Sequence, residues 1–194
     1  MQGLKIKISP AGVIMLIILI LTRSLLSLAA LLAAFLHELG HIAAARICEV
    51  PLRELRLGIF GASLTLDGGL FSYKSELITA AAGPAVNLCA VLALLPVANR
   101  LSRFGICFFT ASAFLAILNL LPVADLDGGR ILTCILSRFF SPRAVYSVVE
   151  TLSFLVILSL WSLSVYLLLR LGASLSLFVF SLALFLRTFA QRNV

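Results

Sequence analysis

The sequence predicts an all-α membrane protein that crosses the bilayer about six times, with a small β-hairpin or sheet at the cytoplasmic edge of the membrane. The 194-residue chain is 62% hydrophobic and only 12% charged, whereas soluble domains usually carry about 25% charged residues. Its charges are clustered, which leaves 77–99, 104–124 and 151–169 without any. About 20 apolar residues span a bilayer as a helix, and helix is the default because lipid offers backbone groups no partner.

Six hydrophobic segments fit this length. The predicted helices cover 8–21, 24–48, 75–98, 104–121, 143–169 and 173–187. The first is short and contains Pro10, so it is either a tilted span or a partly interfacial segment. We expect a single transmembrane domain over 1–194, with its core at 8–140, helices five and six at 143–187, and no soluble appendage.

Two polar insertions separate these helices. Residues 49–74 mix alternating leucines with charges between glycines, which predicts short strands within 52–66. The second loop, 122–142, ends in Ser141-Pro142, typical of an N-cap and first helical position. Within this second loop, the segment after Gly128 is predicted to form a short interfacial helix through Phe140.

The formal net charge of +7 is better explained by membrane topology than by nucleic-acid binding. If the chain crosses six times, eleven of its fifteen basic residues lie on one side of the membrane. Basic residues concentrate on the cytoplasmic side of membrane proteins. We therefore expect both termini to be cytoplasmic and expect no nucleic-acid partner.

The motif HELGH at 37–41 lies inside an apolar helix and contains the only histidines of the chain. His37 and His41, four residues apart, share one helix face and can reach a single cation. Glu38 can sit beside a metal-bound water as a general base, which is the arrangement of zinc peptidases. A pair of core histidines beside a stray acid is a weaker explanation, because each ionisable residue in hydrocarbon costs at least about 2–3 kcal/mol.

Catalytic zinc usually has three protein ligands, and this chain offers no third histidine. The remaining ligand is therefore a carboxylate or a cysteine. The tetrapeptide LDGG occurs at 66–69 and 126–129. Asp127 is the preferred candidate because it follows the uncharged fourth span, where Pro122 and the paired glycines can break the helix and turn backbone inward. Such irregular backbone at membrane depth is tolerated only inside protein or along a wet cavity. Asp125 and Asp67 are the alternatives.

A third cluster, TAAAGPAVN at 79–87, lies inside the predicted third helix. Its small residues permit close helix approach, and Gly83-Pro84 frees backbone groups that neighbours must satisfy. Asn87 is a candidate for binding substrate or orienting the catalytic water, although a packing kink with a buried asparagine explains the segment equally well. The four scattered cysteines form no CxxC pair and predict apolar filler rather than a redox or metal site.

The three motifs together resemble those of the site-2 protease family of intramembrane zinc metalloproteases, peptidase family M50. The matching stretches are HELGH at 37–41, AAGPAVN at 81–87 and NLLPVADLDGGR at 119–130. This resemblance implies six transmembrane helices and cleavage within or near the membrane-spanning segments of tethered substrates. Carried over by position, His37, His41 and Asp127 would bind Zn²⁺, with Glu38 as the catalytic base. Asn87 and Asn119 would support substrate or oxyanion.

Within that family, the compact layout looks most like the stage IV sporulation protein FB subgroup of the bacterial cell membrane. Members of that subgroup process a membrane-tethered pro-sigma factor. Many end in a cystathionine-beta-synthase-type domain, and some relatives in the wider family carry an inserted PDZ domain; this sequence contains neither. The implied partners are a membrane-tethered protein substrate and membrane-protein regulators, and the implied process is regulated intramembrane proteolysis, with sporulation as its setting.

Two other functions fit the composition. A non-proteolytic scaffold of the same fold would be expected to lack Glu38 or a metal ligand, and none is missing here. A metal or ion transporter also buries histidines and aspartates, but transporters more often show internal repeats and charges spread over several spans. The chain shows no clear repeat, so both remain alternatives to the protease.

Overall fold

A computed structural model describes residues 5–8, 17, 21–50, 52–58, 61–66, 72–171 and 176–190. Within these residues the chain forms three strands and six α-helices. In order, the elements are β1 (Lys5–Ile8), α1 (Leu25–Ile47), β2 (Leu52–Gly58), β3 (Gly61–Leu66), α2 (Tyr73–Leu94), α3 (Arg103–Asn119), α4 (Asp127–Leu136), α5 (Pro142–Leu171) and α6 (Ser176–Phe185). A 3₁₀ segment, Leu95–Arg100, extends α2, and a π-helical turn, Leu186–Ala190, follows α6.

The helices have the lengths and composition expected of a membrane protein. Three of those described are long and apolar enough to cross a bilayer: Leu25–Ile47, Tyr73–Arg100 and Pro142–Arg170. Arg103–Asn119 is a shorter apolar helix. Helix α5 begins at Pro142, as the Ser141-Pro142 signal predicted. The count of six membrane crossings remains a prediction.

The start of the predicted first helix was wrong. Most of 8–21 lies outside the described residues, but Ile8 is the last residue of β1. The sequence of β1, KIKI, alternates polar and apolar residues with the period of a strand. Ile17 and Leu21, the other described residues of 8–21, are helical as predicted.

The strands form one sheet in the order β1-β2-β3. Strand β2 pairs in parallel with β1 and antiparallel with β3, with a register irregularity between Leu52 and Glu54. Strands β2 and β3 occupy the part of the polar insertion where the sequence predicted them. The position of this sheet at the cytoplasmic face stays a prediction.

The chain divides into two compact units, Met1–Asn119 and Leu120–Val194. In the first unit, α1, α2 and α3 all pack against one another. Helix α1 turns a stripe of small side chains inward, including the buried Ala29, Ala33 and Ala44. Gly40 lies on this stripe, and a Cβ there would come within 2.8 Å of the Ala82 carbonyl oxygen. Small residues therefore let α1 and α2 approach closely, and they carry both histidines into the interior.

In the second unit, α5 packs against α4 and α6, around a core of Val123, Ile157 and Leu184. The segment between α3 and α4 is not helical, as predicted from its proline and paired glycines. A Cβ on Gly128 would lie 2.2 Å from the Leu120 carbonyl oxygen, and one on Gly129 would lie 2.1 Å from that of Val123. Both glycines are therefore required for this segment to fold back against the start of α4.

Candidate metal centre

Helix α1 brings the two histidines together. His37 and His41 are buried, and their rings meet edge to face with centroids 4.8 Å apart. Their Nε2 atoms lie 3.1 Å from each other. Ligands about 2.0–2.1 Å from a tetrahedral zinc ion are about 3.3 Å apart. The two nitrogens therefore have nearly the separation that two ligands of one zinc ion require.

The backbone of α2 orients His41. The Nδ1–H of His41 donates to the Thr79 carbonyl oxygen over 2.7 Å. Pro84 lies within α2, where a proline removes the backbone hydrogen bond to the carbonyl of residue 80. Because a carbonyl can only accept, His41 must carry its proton on Nδ1 and direct a lone pair from Nε2.

Helix α2 also contributes Asn87 and Gly83. Asn87 is 1% exposed, and its Nδ2 lies 3.3 Å from His37 Nδ1. A Cβ on Gly83 would lie 2.3 Å from His41 Nε2 and 2.8 Å from His37 Nε2. The missing side chain of Gly83 thus leaves space directly beside the two nitrogens that would bind a metal.

Asp127 is the first residue of α4 and is 8% exposed. A carboxylate at a helix N-terminus is stabilised by the unpaired backbone N–H groups there. Arg130, one turn later, places a guanidinium nitrogen 3.9 Å from Asp127 Oδ1.

The side chains of His37, His41 and Asp127 are donors that fit zinc. All three residues are buried. Two imidazole nitrogens and one carboxylate are a donor set that zinc enzymes use, leaving a fourth position for water or substrate. The space beside Gly83 and the short distance between the two Nε2 atoms agree with this donor set.

The other predicted residues have varied surroundings. Glu38 is half-buried, next to His37 on α1. Asn119 donates from Nδ2 to the Leu115 carbonyl oxygen of its own helix over 3.0 Å. Its role in supporting substrate or oxyanion remains a prediction. Asp125 is partly buried, and its Oδ2 has no hydrogen-bond partner among the described residues. Asp67 lies outside the described residues.

Two contributors to this site were not assigned a role from the sequence. The Thr79 carbonyl is a backbone group, and no side-chain pattern identifies which carbonyl will face a histidine. Gly83 was recognisable as part of the small-residue cluster before Pro84, but its position opposite the histidines follows only from the packing of α1 on α2.

Comparison with known proteins agrees with this geometry. The model of Peptidase family M50 matches residues 95–161, a stretch that includes Asp127 but not the histidines. A solved structure, the Site-2 Protease from Methanocaldococcus jannaschii, superposes with a TM-score of 0.72 at 22% identity, covering 100% of this chain and 93% of that one. The chain has the site-2 protease fold.

Curated relatives extend the likeness to sequence. "Putative zinc metalloprotease Rip3" from two strains of Mycobacterium tuberculosis, Erdman and H37Rv, is 35% identical over 120 residues, or 57% of this chain. The chain spans about 30% of the length of these relatives. Family model, relatives and fold together support peptidase family M50, the site-2 proteases, and the histidine–aspartate group is consistent with Zn²⁺ as cofactor.

Proposed function

We propose that this protein is an intramembrane zinc metalloprotease that hydrolyses peptide bonds within or near the transmembrane segments of membrane-tethered proteins. The observation that carries the proposal is the convergence of His37 and His41 Nε2, 3.1 Å apart, beside the gap at Gly83. The buried Asp127 carboxylate is the proposed third ligand. A scaffold or a structural core would not need this open space next to two imidazole nitrogens.

In the proposed mechanism, His37, His41 and Asp127 hold the metal and Glu38 moves the proton. A zinc ion bound there supplies Lewis acidity toward a peptide carbonyl and a water molecule. The Glu38 carboxylate accepts a proton from the attacking water and later gives it to the leaving amine. Backbone or asparagine donors stabilise the oxyanion. Glu38 is only half-buried, so its carboxylate is within reach of water.

The substrate must be extended at the cleavage point, because a helix engages its carbonyls in hydrogen bonds four residues apart. The sheet offers a means of holding an extended segment. Among the described strands, β3 pairs with β2 alone and has a second edge without a partner strand. We propose that substrate adds to this edge as a further strand.

We propose a multi-pass location in a bacterial cell membrane, with six spans and both termini in the cytoplasm. The proposed substrate is a membrane-tethered regulatory protein, such as a pro-sigma factor, cleaved under the control of other membrane proteins. The resemblance of the compact layout to the stage IV sporulation protein FB subgroup supports this class of substrate and a role in sporulation.

Replacing Glu38 with glutamine tests the proposed reaction. We expect Glu38→Gln to retain zinc and to lower cleavage of a co-expressed single-span substrate by about 10²–10⁴-fold, the usual contribution of a general base. Glu49→Gln is the matched control, because Glu49 is exposed just after the C-terminus of the same helix. Cleavage is followed by the appearance of the shortened substrate, and zinc by metal analysis of the purified protein.

Other outcomes separate the alternative functions. Glu38→Gln with undiminished cleavage would exclude Glu38 as the base. Zinc transport into vesicles by the wild type, unaffected by this substitution, would identify a transporter. Wild-type protein that binds tethered proteins but never shortens them would identify a scaffold.

A further inference from the structure

Helix α2 contacts the Nδ1 atom of both proposed metal-binding rings, but with groups of different chemistry. His41 Nδ1 faces the Thr79 carbonyl oxygen at 2.7 Å. His37 Nδ1 faces the Asn87 amide nitrogen at 3.3 Å. A carbonyl can only accept a hydrogen bond, whereas an amide nitrogen can only donate one. The two histidines are therefore directed toward opposite tautomers.

For His37, the amide nitrogen of Asn87 requires an unprotonated Nδ1. A neutral imidazole then carries its proton on Nε2. That proton faces His41 Nε2, whose lone pair lies 3.1 Å away. The result is a continuous series of hydrogen bonds from Asn87 through His37 and His41 to Thr79. In this arrangement His37 presents no lone pair to a metal.

A metal on His37 Nε2 demands the reverse. The Nε2 atom must be unprotonated, so the neutral ring carries its proton on Nδ1 and needs an acceptor there. Rotating the Asn87 amide by 180° exchanges Nδ2 for Oδ1 with almost no change of shape. Because Asn87 is only 1% exposed, no lasting hydrogen bond to bulk water can replace it as the acceptor.

We propose that Asn87 is a positioning residue for His37, and that its side-chain amide reverses its hydrogen bond when the metal binds. Nδ2 donates to the ring in the metal-free protein, and Oδ1 accepts from Nδ1–H in the loaded one. The ring stays neutral throughout, since water takes the proton leaving Nε2 and returns one to Nδ1. This inference rests on the zinc site of the proposed function, and it assigns Asn87 to the ligand rather than to the substrate.

Two substitutions separate this role from others. A carboxylate can only accept, so Asn87→Asp holds the Nδ1–H tautomer of His37 whether or not metal is present. We expect this variant to bind zinc at least as tightly as the wild type. Asn87→Leu removes the side-chain amide that faces Nδ1–H, and we expect zinc affinity to fall about 10–100-fold. Asn99→Asp and Asn99→Leu make the same chemical changes at an exposed site and should leave affinity unchanged.

The experiment uses the full chain in detergent, labelled with ¹⁵N-histidine. With only two histidines in the sequence, His37→Ala assigns the signals. A neutral imidazole carries its proton on one of its two nitrogens, and ¹⁵N shifts report which one. For metal-free wild type we expect the His37 proton on Nε2, moving to Nδ1 on addition of zinc. For Asn87→Asp we expect it on Nδ1 in both states. Competition with a chelator gives the zinc affinities.

Three results would overturn the proposal. These are a metal-free wild type with the His37 proton already on Nδ1, an Asn87→Asp variant that loses zinc affinity, and a folded Asn87→Leu variant that keeps it. If Asn87→Leu does not fold, the His37 tautomers measured in the wild type and in Asn87→Asp still test the proposal. A wild type that takes up no zinc contradicts the proposed function instead, while the metal-free tautomers still test this inference.

Discussion

At the scale of single residues, the candidate site depends on glycines, whose missing side chains leave space, as well as on the residues that offer ligand atoms. Gly83 provides the space beside both Nε2 atoms, and Gly128 and Gly129 let the backbone fold tightly around the start of α4. The LDGG sequence at 126–129 thus combines two functions. Asp127 supplies a buried carboxylate, and the glycines after it permit the close backbone contacts that hold the carboxylate at a helix N-terminus.

The identity of the third ligand can be tested with two aspartates that lie two residues apart. We expect Asp127→Asn to weaken zinc binding by more than about 100-fold, because a neutral amide replaces an anionic ligand. Loss of a residue that only orients a ligand already lowers metal affinity by about 10–100-fold. Asp125→Asn should change affinity by much less, since Asp125 is less buried than Asp127 and is not a proposed ligand. Chelator competition on purified protein measures both. The opposite order would assign the ligand to Asp125.

Gly83→Ala adds a single methyl group at the metal centre. The new Cβ would lie 2.3 Å from His41 Nε2, far inside van der Waals contact, so α2 must withdraw or the rings must turn. We expect zinc binding to be lost while the helices still form. In Gly105→Ala the nearest atom is Leu101 Cβ at 3.3 Å, so this substitution is a control near the start of α3. Circular dichroism and zinc content are the measurements, and a Gly83→Ala protein with full zinc occupancy would contradict the geometry.

At the scale of elements, α1 and α2 together form the candidate metal site. Helix α1 carries the two histidines that we propose as ligands on a stripe of small residues, and α2 provides the groups that face their Nδ1 atoms. Their close approach at Gly40 is what makes these hydrogen bonds possible. The strands that separate the two helices in sequence are predicted to serve the substrate rather than the metal.

The role of the β3 edge can be tested by proline substitution from Ala62 to Thr65, one position at a time. Successive amides of a strand point to opposite sides, so alternate substitutions remove an N–H from the outer edge and leave the ladder with β2 intact. We expect those outer-edge variants to cleave substrate more slowly while retaining zinc. If no position lowers cleavage, strand addition at β3 is excluded.

At the scale of the whole molecule, the distribution of charge sets the proposed orientation in the membrane. The described helices include three that are long and apolar enough to span a bilayer, and basic residues cluster between particular pairs of predicted spans. Basic residues are retained on the cytoplasmic side during insertion, so this asymmetry is a physical cause of topology.

Reporter fusions measure the topology directly. With six spans, a green fluorescent protein fused after Val194 should fluoresce, and alkaline phosphatase fused there should be inactive. The same reporters fused after Arg100, between the third and fourth predicted spans, should behave in the opposite way. An active phosphatase after Val194 would contradict cytoplasmic termini, and matching results at both sites would contradict an odd number of crossings between them.

The sequence by itself determined which segments are apolar helices, because hydrocarbon requires uncharged stretches of fixed length, and it determined the HELGH pair, because residues four apart share a helix face. It also marked Asp127 among three aspartates and the small residues around Gly83. It did not predict the KIKI strand, where a short alternating pattern precedes a longer apolar run. Only the tertiary structure decided that the Thr79 carbonyl and Asn87 face the histidines and that Gly83 leaves room between them. Those contacts join residues 38 and 50 positions apart, and their geometry depends on how closely two helices pack, which no local pattern encodes.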